Sequence, residues 1–254
     1  MKTVILCGGR GYRLKEETEF KPKPMVEIGG QPILWHIMNI YAHYGFNDFV
    51  IALGYKGRWI KDYFVNKKYY DGDFTIDTAT GRVKHHFRDL PDKFKITFVD
   101  TGIDSLTGER VRRVKKYIDS DTFMVTYGDG LADINIKTLL KFHQSKKVIA
   151  TVTGVYPKLR YGGFDIDKNG LASVFETKAR IRHTINGGFM VFDRKVFDYI
   201  KPDSMIEEIY DPLVAKKQVA IFDHKGFWHA MDTVQDMDEL NDMWEENPAW
   251  KVWK

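Results

Sequence analysis

A short turn near the start of the chain combines three glycines with two arginines. In "LCGGRGYRL", Gly8, Gly9 and Gly11 follow an apolar run and alternate with Arg10 and Arg13. Glycine adopts positive φ without steric cost and lets backbone N–H groups approach an anion closely. The arginines add positive charge. The turn is therefore a candidate phosphate-binding site, although an ordinary connection between a strand and a helix can have the same composition.

Two familiar phosphate loops do not fit this turn. The P-loop pattern G-x-x-x-x-G-K-[S/T] is absent from the sequence. The dinucleotide-binding pattern G-x-G-x-x-G/A needs a glycine or alanine where Leu14 stands. The turn therefore disfavours an oxidoreductase that uses a nicotinamide cofactor.

Two lysines precede prolines shortly after the glycine turn. They are Lys21 and Lys23 in "KPKPMVEIGGQPIL". The residue before a proline is steered away from the α region, so both lysines are predicted to lie on a stiff, extended segment. Two cations on a rigid support would suit a triphosphate.

Two aspartates follow apolar runs in distant parts of the chain. Asp129 lies in "FMVTYGDG", and Asp232 lies in "FWHAMDT" after the apolar run "VAIFDH". Mg²⁺ prefers oxygen ligands and commonly takes only one or two protein carboxylates when phosphates and water complete its shell. The pair is thus a candidate metal site for chemistry at an anionic phosphate, with turn or helix capping as the alternative role for each aspartate.

The elements that must position these residues alternate between strands and helices. Apolar, β-rich runs predict strands, and periodic stretches between them predict helices; the strands are 3–7, 48–53, 95–100 and 122–127, and the helices are 31–45, 57–68, 109–118 and 136–146. This alternation predicts an α/β fold with a Rossmann-like mixed, mostly parallel sheet flanked by helices. Turn residues at "DKNG" and the apolar run "GGFMVF" predict a smaller antiparallel β extension. Ligands of such sheets bind beyond the carboxyl ends of the strands.

Composition restricts the classes of function. The 254 residues are 43% hydrophobic, and 39 basic and 35 acidic residues give a net charge of +4 without long blocks of either sign. Such mild charge argues against non-specific nucleic-acid binding as the main activity. The single cysteine, Cys7, lies in an apolar run and is expected in the core. No segment approaches the ~20 apolar residues of a membrane helix, so we expect a soluble, cytoplasmic protein with no membrane partner.

The motifs together resemble a known family. In order they are "LCGGRGYRL", "KPKPMVEIGGQPILWHIM", "GYKG", "VDTG", "TGERVRRV", "TYGDGLAD", "INGGF" and "GFWHAMDT". This series resembles the nucleotidyltransferases that activate sugar phosphates, in particular those that use CTP. The resemblance implies CTP as nucleotide, Mg²⁺ as cofactor, glucose 1-phosphate as the default acceptor, and a homo-oligomer.

The resemblance also implies roles for individual residues. Catalytic roles fall on Lys23 and Arg13, and metal binding on Asp129 and Asp232. Nucleotide contacts are implied for Leu6, Gly8, Gly9, Gly11, Arg13, Lys23, Arg110, Gly128 and Asp129. Acceptor contacts are implied for Tyr161, Lys178, Asn186 and Gly187. The acceptor's phosphate oxygen would attack the α-phosphorus of CTP in line, and because that nucleophile is already an anion, no general base is required.

The acceptor side departs from the family pattern at three places. Thr177 and Ala179 flank Lys178 where the family has Glu-Lys-Pro, "RYGGF" differs at Gly163 and Phe164, and "EEIYDPL" replaces a Trp-Glu stretch before Pro-Leu. The same region carries the cationic or titratable side chains of Arg180, Arg182 and His183. Two acceptors therefore stay open: a sugar phosphate held by other groups, or a non-sugar phosphate such as L-glutamine phosphate, on a route to a capsular phosphoramidate.

Domain organisation and a rival function complete the expectations. We predict one nucleotidyltransferase domain over residues 1–254, with 66–95 as an insertion that contains short strands and is a candidate subunit contact. Residues 155–254 are predicted to form an acceptor-side extension and a C-terminal helix. The rival is a catalytically silent, nucleotide-sensing regulator on the same fold.

Overall fold

The apolar runs of the sequence form the strands of one large sheet and several small ones. The computed structural model describes residues 1–70, 72–86, 93–157, 163–176 and 183–253. In chain order the strands are β1 (Lys2–Cys7), β2 (Glu27–Ile28), β3 (Gln31–Pro32), β4 (Asp48–Leu53), β5 (Phe74–Asp77), β6 (Arg82–His85), β7 (Lys95–Asp100), β8 (Thr122–Tyr127), β9 (Gly130–Ala132), β10 (Ala150–Val155), β11 (Gly163–Ile166), β12 (Ala172–Glu176), β13 (Ile185–Asp193), β14 (Val219–Asp223) and β15 (Trp228–Ala230). The helices are α1 (Lys15–Thr18), α2 (Ile33–His43), α3 (Gly57–Tyr70), α4 (Thr107–Arg113), α5 (Ile136–Lys146), α6 (Tyr210–Ala215) and α7 (Val234–Glu246).

Seven of the described strands form the central sheet. Their order is β14-β10-β13-β8-β1-β4-β7. β1 pairs in parallel with β4 and β8, β4 with β7, and β10 with β14, whereas β13 is antiparallel to both of its neighbours. The predicted mixed, mostly parallel sheet is confirmed. Because the parallel strands share a direction, the turns after β1, β4, β7 and β8 meet at one edge.

Helices cover both faces of the sheet, as the alternation of strands and helices predicted. Side chains of β1 alternate between two cores: Ile5 and Cys7 pack with α2, α3 and α7, while Val4 and Leu6 pack with α4 and α6. Cys7 is fully buried and has a free thiol, as expected of a core residue.

Small antiparallel pairs extend this frame. β11 pairs with β12 across the predicted "DKNG" turn, and β5 pairs with β6 inside the predicted insertion. β2 pairs with β3, and β9 pairs with β15. The predicted antiparallel extension is confirmed, but the segment 155–254 also supplies β13 inside the central sheet and β14 at its edge. The assignment of residues 1–254 to one domain stays a prediction.

Two local expectations differ from the structure. The helix predicted over 109–118 is shorter at its C-terminal end: α4 spans Thr107–Arg113, and a separate 3-10 turn, Lys115–Tyr117, follows it. Val111 packs α4 into the core. Lys23 opens a 3-10 turn, Lys23–Met25, instead of an extended segment, because the amide of Met25 donates to the carbonyl of Pro22 at 2.7 Å.

In the described part of the chain, none of the helices has both the length and the apolar character that crossing a membrane requires.

Candidate active site

Lys23 joins the two aspartates that the sequence singled out. Its Nζ lies 2.7 Å from Oδ2 of Asp129 and 2.7 Å from Oδ1 of Asp232, and only 12% of its side chain is exposed. Burial lowers the pKa of Lys23, but the charges of the two carboxylates and their hydrogen bonds outweigh it, so the pKa lies above its ordinary value. Lys23 is therefore a fixed positive charge at this edge of the sheet.

Close backbone approach places Lys23 beside Asp129. The amide of Gly128 donates to the carbonyl of Leu6 at 3.2 Å, which ties the end of β8 to β1. A Cβ on Gly128 would come within 3.0 Å of that carbonyl and 3.1 Å of Cγ of Pro24. The absence of a side chain at position 128 thus lets the Lys-Pro segment pack directly against the residue that precedes Asp129.

A two-stranded ladder brings Asp232 to the same place. β15 runs antiparallel to β9, with Ala230 opposite Gly130. Beyond the ladder, the amide of Met231 donates to the carbonyl of Asp129 at 2.9 Å. The backbone of one aspartate is therefore bonded to the residue next to the other. Asp232 follows β15, not the earlier run "VAIFDH" after which the sequence placed it.

The glycine turn contributes Arg13 to this cluster. Gly11 has φ +66°, a left-handed conformation that favours glycine, and its carbonyl accepts a hydrogen bond from the amide of Leu14 at 2.9 Å. Arg13 follows on this turn, and its Nη1 lies 2.9 Å from Oδ2 of Asp232. With 76% of its side chain exposed, Arg13 is open to a ligand.

Arg110 lies beneath the glycine turn. Arg110 is only 4% exposed, and its guanidinium donates to the carbonyls of Gly8 at 3.0 Å, Leu53 at 3.1 Å and Gly102 at 2.7 Å. Burial lowers the pKa of this arginine. The contacts hold together the turns that follow β1, β4 and β7. A direct contact between Arg110 and the nucleotide stays a prediction; the observed contacts give Arg110 a role in positioning the glycine turn.

Lys21 does not join Lys23 at the aspartates. Its Nζ lies 3.7 Å from Glu17 and 3.6 Å from Glu27 on the protein surface. Lys21 therefore pairs with glutamates instead of the two aspartates, and a contact of Lys21 with the triphosphate stays a prediction.

The described part of the predicted acceptor side lies at the start of β13. Oδ1 of Asn186 accepts a hydrogen bond from the amide of Gly188 at 2.9 Å. The carbonyl of Gly187 accepts one from Nε1 of Trp228, on β15, at 2.8 Å. Trp228 therefore links the start of β13 to β15, the strand that precedes Asp232. The other predicted acceptor residues lie outside the described residues; they are Tyr161 and Lys178, together with the substitutions at Thr177 and Ala179 and the side chains of Arg180 and Arg182.

The two aspartate carboxylates fit a metal ion that also binds the phosphates of a substrate. The carboxylates of Asp129 and Asp232 contact the same ammonium group, so they converge. Within the described ranges, no group of three or more His, Cys, Asp or Glu side chains is placed to hold a metal. Two converging carboxylates match Mg²⁺, whose remaining ligands are usually phosphate oxygens and water, better than a metal held by protein side chains alone.

Comparison with known proteins assigns the class. Residues 2–248 match the nucleotidyl transferase family, so the protein belongs to that family and is an enzyme. Enzymes of this family generally use a divalent metal ion.

Two of the relatives that match the full length of the chain are named for glucose-1-phosphate cytidylyl transfer. A probable glucose-1-phosphate cytidylyltransferase of Bacillus subtilis is 46% identical over 259 residues, which cover 100% of both chains. The glucose-1-phosphate cytidylyltransferase of Salmonella typhi is 45% identical, again over 100% of both chains. The structure of HddC from Yersinia pseudotuberculosis has a TM-score of 0.68 and 24% identity over 96% of this chain and 99% of that one, which supports the fold alone.

Sequence reasoning missed several residues around the cluster. Tyr127 and Glu207 form a hydrogen-bonded pair near the start of β13. Trp228 donates to the carbonyl of Gly187 in β13, and Met231 donates to the carbonyl of Asp129. Trp228 and Met231 lie in the quoted motif "GFWHAMDT", which was the available signal for them. Glu207 begins the quoted stretch "EEIYDPL", which marked a departure on the acceptor side. Its contact with Tyr127 could not be predicted, because it joins distant parts of the chain.

Proposed function

We propose that this protein is a CTP-dependent cytidylyltransferase that transfers CMP to glucose 1-phosphate and releases pyrophosphate. The observation that carries the proposal is the convergence of Lys23, Asp129 and Asp232 beside the glycine turn. Full-length identity of 45% and 46% to proteins named for this reaction supports the choice of both substrates. A silent nucleotide sensor on the same fold is disfavoured, because a sensor does not need the lysine and both carboxylates.

The chain's charged residues match the needs of the reaction. An oxygen of the acceptor's phosphate attacks the α-phosphorus of CTP, and the bond from that phosphorus to the leaving pyrophosphate breaks. Lys23 would offset negative charge on the α-phosphate during attack, and Arg13 would bind the triphosphate from the glycine turn. Because both reactants are anions and the nucleophile is already ionised, catalysis consists of alignment and charge stabilisation.

Asp129 and Asp232 are the residues that would hold a divalent ion, which we propose to be Mg²⁺. When bound, the ion compensates the charge of the triphosphate and stabilises the leaving pyrophosphate. Lys23 and Arg13, which form ion pairs with these carboxylates, would then lie next to the phosphates of the bound nucleotide.

An amino-acid phosphate such as L-glutamine phosphate is the second candidate acceptor. Thr177 and Ala179 stand where sugar-phosphate enzymes of this type carry Glu and Pro, and Arg180 and Arg182 follow closely. Losing a carboxylate weakens binding of sugar hydroxyls, and two arginines suit a ligand that carries a carboxylate.

A product assay separates the two acceptors. The purified protein is incubated with CTP, Mg²⁺ and either glucose 1-phosphate or L-glutamine phosphate, and pyrophosphate and the cytidine product are measured. Rapid formation of CDP-glucose that stops on chelation of Mg²⁺ supports the first candidate. Product formation confined to L-glutamine phosphate would replace it with the second, and no pyrophosphate with either acceptor would contradict the proposed function.

A further inference from the structure

The edge of the sheet carries a carboxylate outside the cluster of Lys23, Asp129 and Asp232. Tyr127 is the last residue of β8, two positions before Asp129, and its hydroxyl donates a hydrogen bond to Oε1 of Glu207. Glu207 belongs to the 3-10 turn Ile206–Ile209, and its side chain is exposed.

Tyr127 lies against the start of β13. Gly188 has φ +83°, and a Cβ at this position would come within 2.8 Å of Cδ2 in the ring of Tyr127. The amide of Gly188 donates to Asn186, one of the residues predicted to contact the acceptor. In the sheet, β8 lies between β1, which leads to the glycine turn, and β13. The pair of Tyr127 and Glu207 therefore lies on the acceptor half of this edge.

The carboxylate of Glu207 has unused capacity for hydrogen bonds. A carboxylate can accept about four hydrogen bonds. Glu207 contacts the hydroxyl of Tyr127, and its Oε2 lies 3.5 Å from Oγ1 of Thr107 at the start of α4. No lysine, arginine or histidine in the described ranges lies within ion-pair distance of Glu207. Such a group repels phosphates and attracts hydroxyl or ammonium donors.

We propose that Glu207 is a specificity-determining residue for the acceptor. Its carboxylate accepts a hydrogen bond from a donor on the non-phosphate part of that substrate, and Tyr127 positions it. In glucose 1-phosphate the donor is a sugar hydroxyl, and in an amino-acid phosphate it is the ammonium group. The inference rests on the proposed function, because it assigns one contact within that reaction.

Steady-state kinetics of Glu207→Gln test the inference, with Glu208→Gln as the matched control. Glu208 is the neighbouring exposed glutamate, and it instead accepts the amide of Met205 at 2.7 Å. A hydrogen bond to a charged group contributes enough to raise KM for the acceptor about tenfold or more in Glu207→Gln. We expect KM for CTP and the melting temperature to stay at the wild-type values, and Glu208→Gln to match wild type in all three quantities.

Deoxy analogues of glucose 1-phosphate identify the hydroxyl. For at least one deoxy analogue, we expect KM of the wild-type enzyme to rise by the same factor by which Glu207→Gln raises KM for glucose 1-phosphate. KM of the variant should rise no further with that analogue. An effect of Glu207→Gln that persists unchanged with every deoxy analogue overturns the hydroxyl contact.

The outcomes separate this inference from the proposed function. If wild type turns over glucose 1-phosphate and Glu207→Gln leaves its KM unchanged, or raises KM for CTP equally, the inference fails and the function stands. If wild type uses only L-glutamine phosphate, glucose 1-phosphate is ruled out as the acceptor. The inference then depends on whether Glu207→Gln raises KM for L-glutamine phosphate. No turnover with either acceptor overturns both.

Discussion

At the scale of single residues, the position of Lys23 decides what the site can do. Its ammonium group is buried between two carboxylates, whereas the nearby Lys21 pairs with surface glutamates. Two lysines in identical Lys-Pro contexts therefore have different environments. The sequence predicted a cationic segment, because residue type and spacing are local properties. It could not separate the two lysines, since their partners lie elsewhere along the chain.

Replacing Lys23 by alanine should reduce turnover far more than nucleotide binding. Removal of one preorganised charge from the transition state costs about 10²- to 10³-fold in kcat. The charge on Lys23 acts mainly while bonds at the α-phosphorus change, so Kd for CTP should change by less than about tenfold. Pyrophosphate release and calorimetric titration with CTP measure the two quantities.

Lys21→Ala is the control for this substitution. Because Lys21 makes only exposed or half-exposed ion pairs with Glu17 and Glu27, its loss should leave kcat within about twofold of wild type. Near-normal kcat in Lys23→Ala, or an equal loss in Lys21→Ala, would contradict the catalytic role of Lys23.

At the scale of elements, the close packing of strand ends and short segments aligns the cluster. Gly128 allows β8, β1 and the turn Lys23–Met25 to meet, and the ladder of β9 and β15 adds Asp232. The sequence predicted β1 and β8 and placed both aspartates after strands. It did not predict β15, because three residues in a motif of mixed polarity carry no clear period. Their pairing with β9 is a long-range contact.

Gly128→Ala should lower kcat while the protein stays folded. The added Cβ would lie 3.0 Å from the carbonyl of Leu6 and 3.1 Å from Pro24, so these groups must move by a few tenths of an ångström. Misplacement of catalytic groups by such amounts reduces turnover, and we expect a loss of about tenfold to 100-fold in kcat.

Gly130→Ala is the matched control for Gly128→Ala. A Cβ at position 130 meets only Nε1 of Trp228, at 3.8 Å, which is ordinary contact. Its kcat should therefore stay within about threefold of wild type. Equal rates for the two variants, or a greater loss in Gly130→Ala, would show that close approach at Gly128 does not align the site.

At the scale of the whole molecule, the C-terminal segment closes the core around His36. Trp250 is fully buried, and its Nε1 donates to Nδ1 of His36 at 3.3 Å. Nε2 of His36 lies 2.8 Å from the carbonyl of Ile28, which can only accept, so Nε2 carries the hydrogen. The sequence predicted a C-terminal helix but indicated no partner for the tryptophans of this segment. It could not identify His36 as their partner, because the two segments lie at opposite ends of the chain.

Stability should therefore fall in acid because of His36. Burial lowers its pKa from 6.5 to about 4, so between these values the unfolded chain binds a proton that the folded protein does not. The contribution of neutral His36 is complete above pH 6.5 and is lost as pH falls toward 4, by about 3 kcal/mol in total. Denaturant unfolding of wild type and His36→Gln between pH 7 and pH 4 measures this loss.

His36 and His43, the two histidines replaced in this experiment, both lie on α2. His36→Gln lacks the titrating group and should lose about 3 kcal/mol less than wild type over this range, although it starts from a lower stability. His43→Gln removes an exposed histidine of α2 and should follow the wild-type curve. Parallel curves for wild type and His36→Gln would rule out His36 as the source.

The central claim is that Asp129 and Asp232, with Lys23, form one metal-assisted site for cytidylyl transfer. The most direct test is the rate of pyrophosphate release from CTP and glucose 1-phosphate in wild type, Asp129→Asn and Asp232→Asn across a series of Mg²⁺ concentrations. We predict Mg²⁺-dependent release by wild type and a loss of at least about 10²-fold in each variant. Release by either variant at the wild-type rate and with the wild-type Mg²⁺ dependence would contradict the claim.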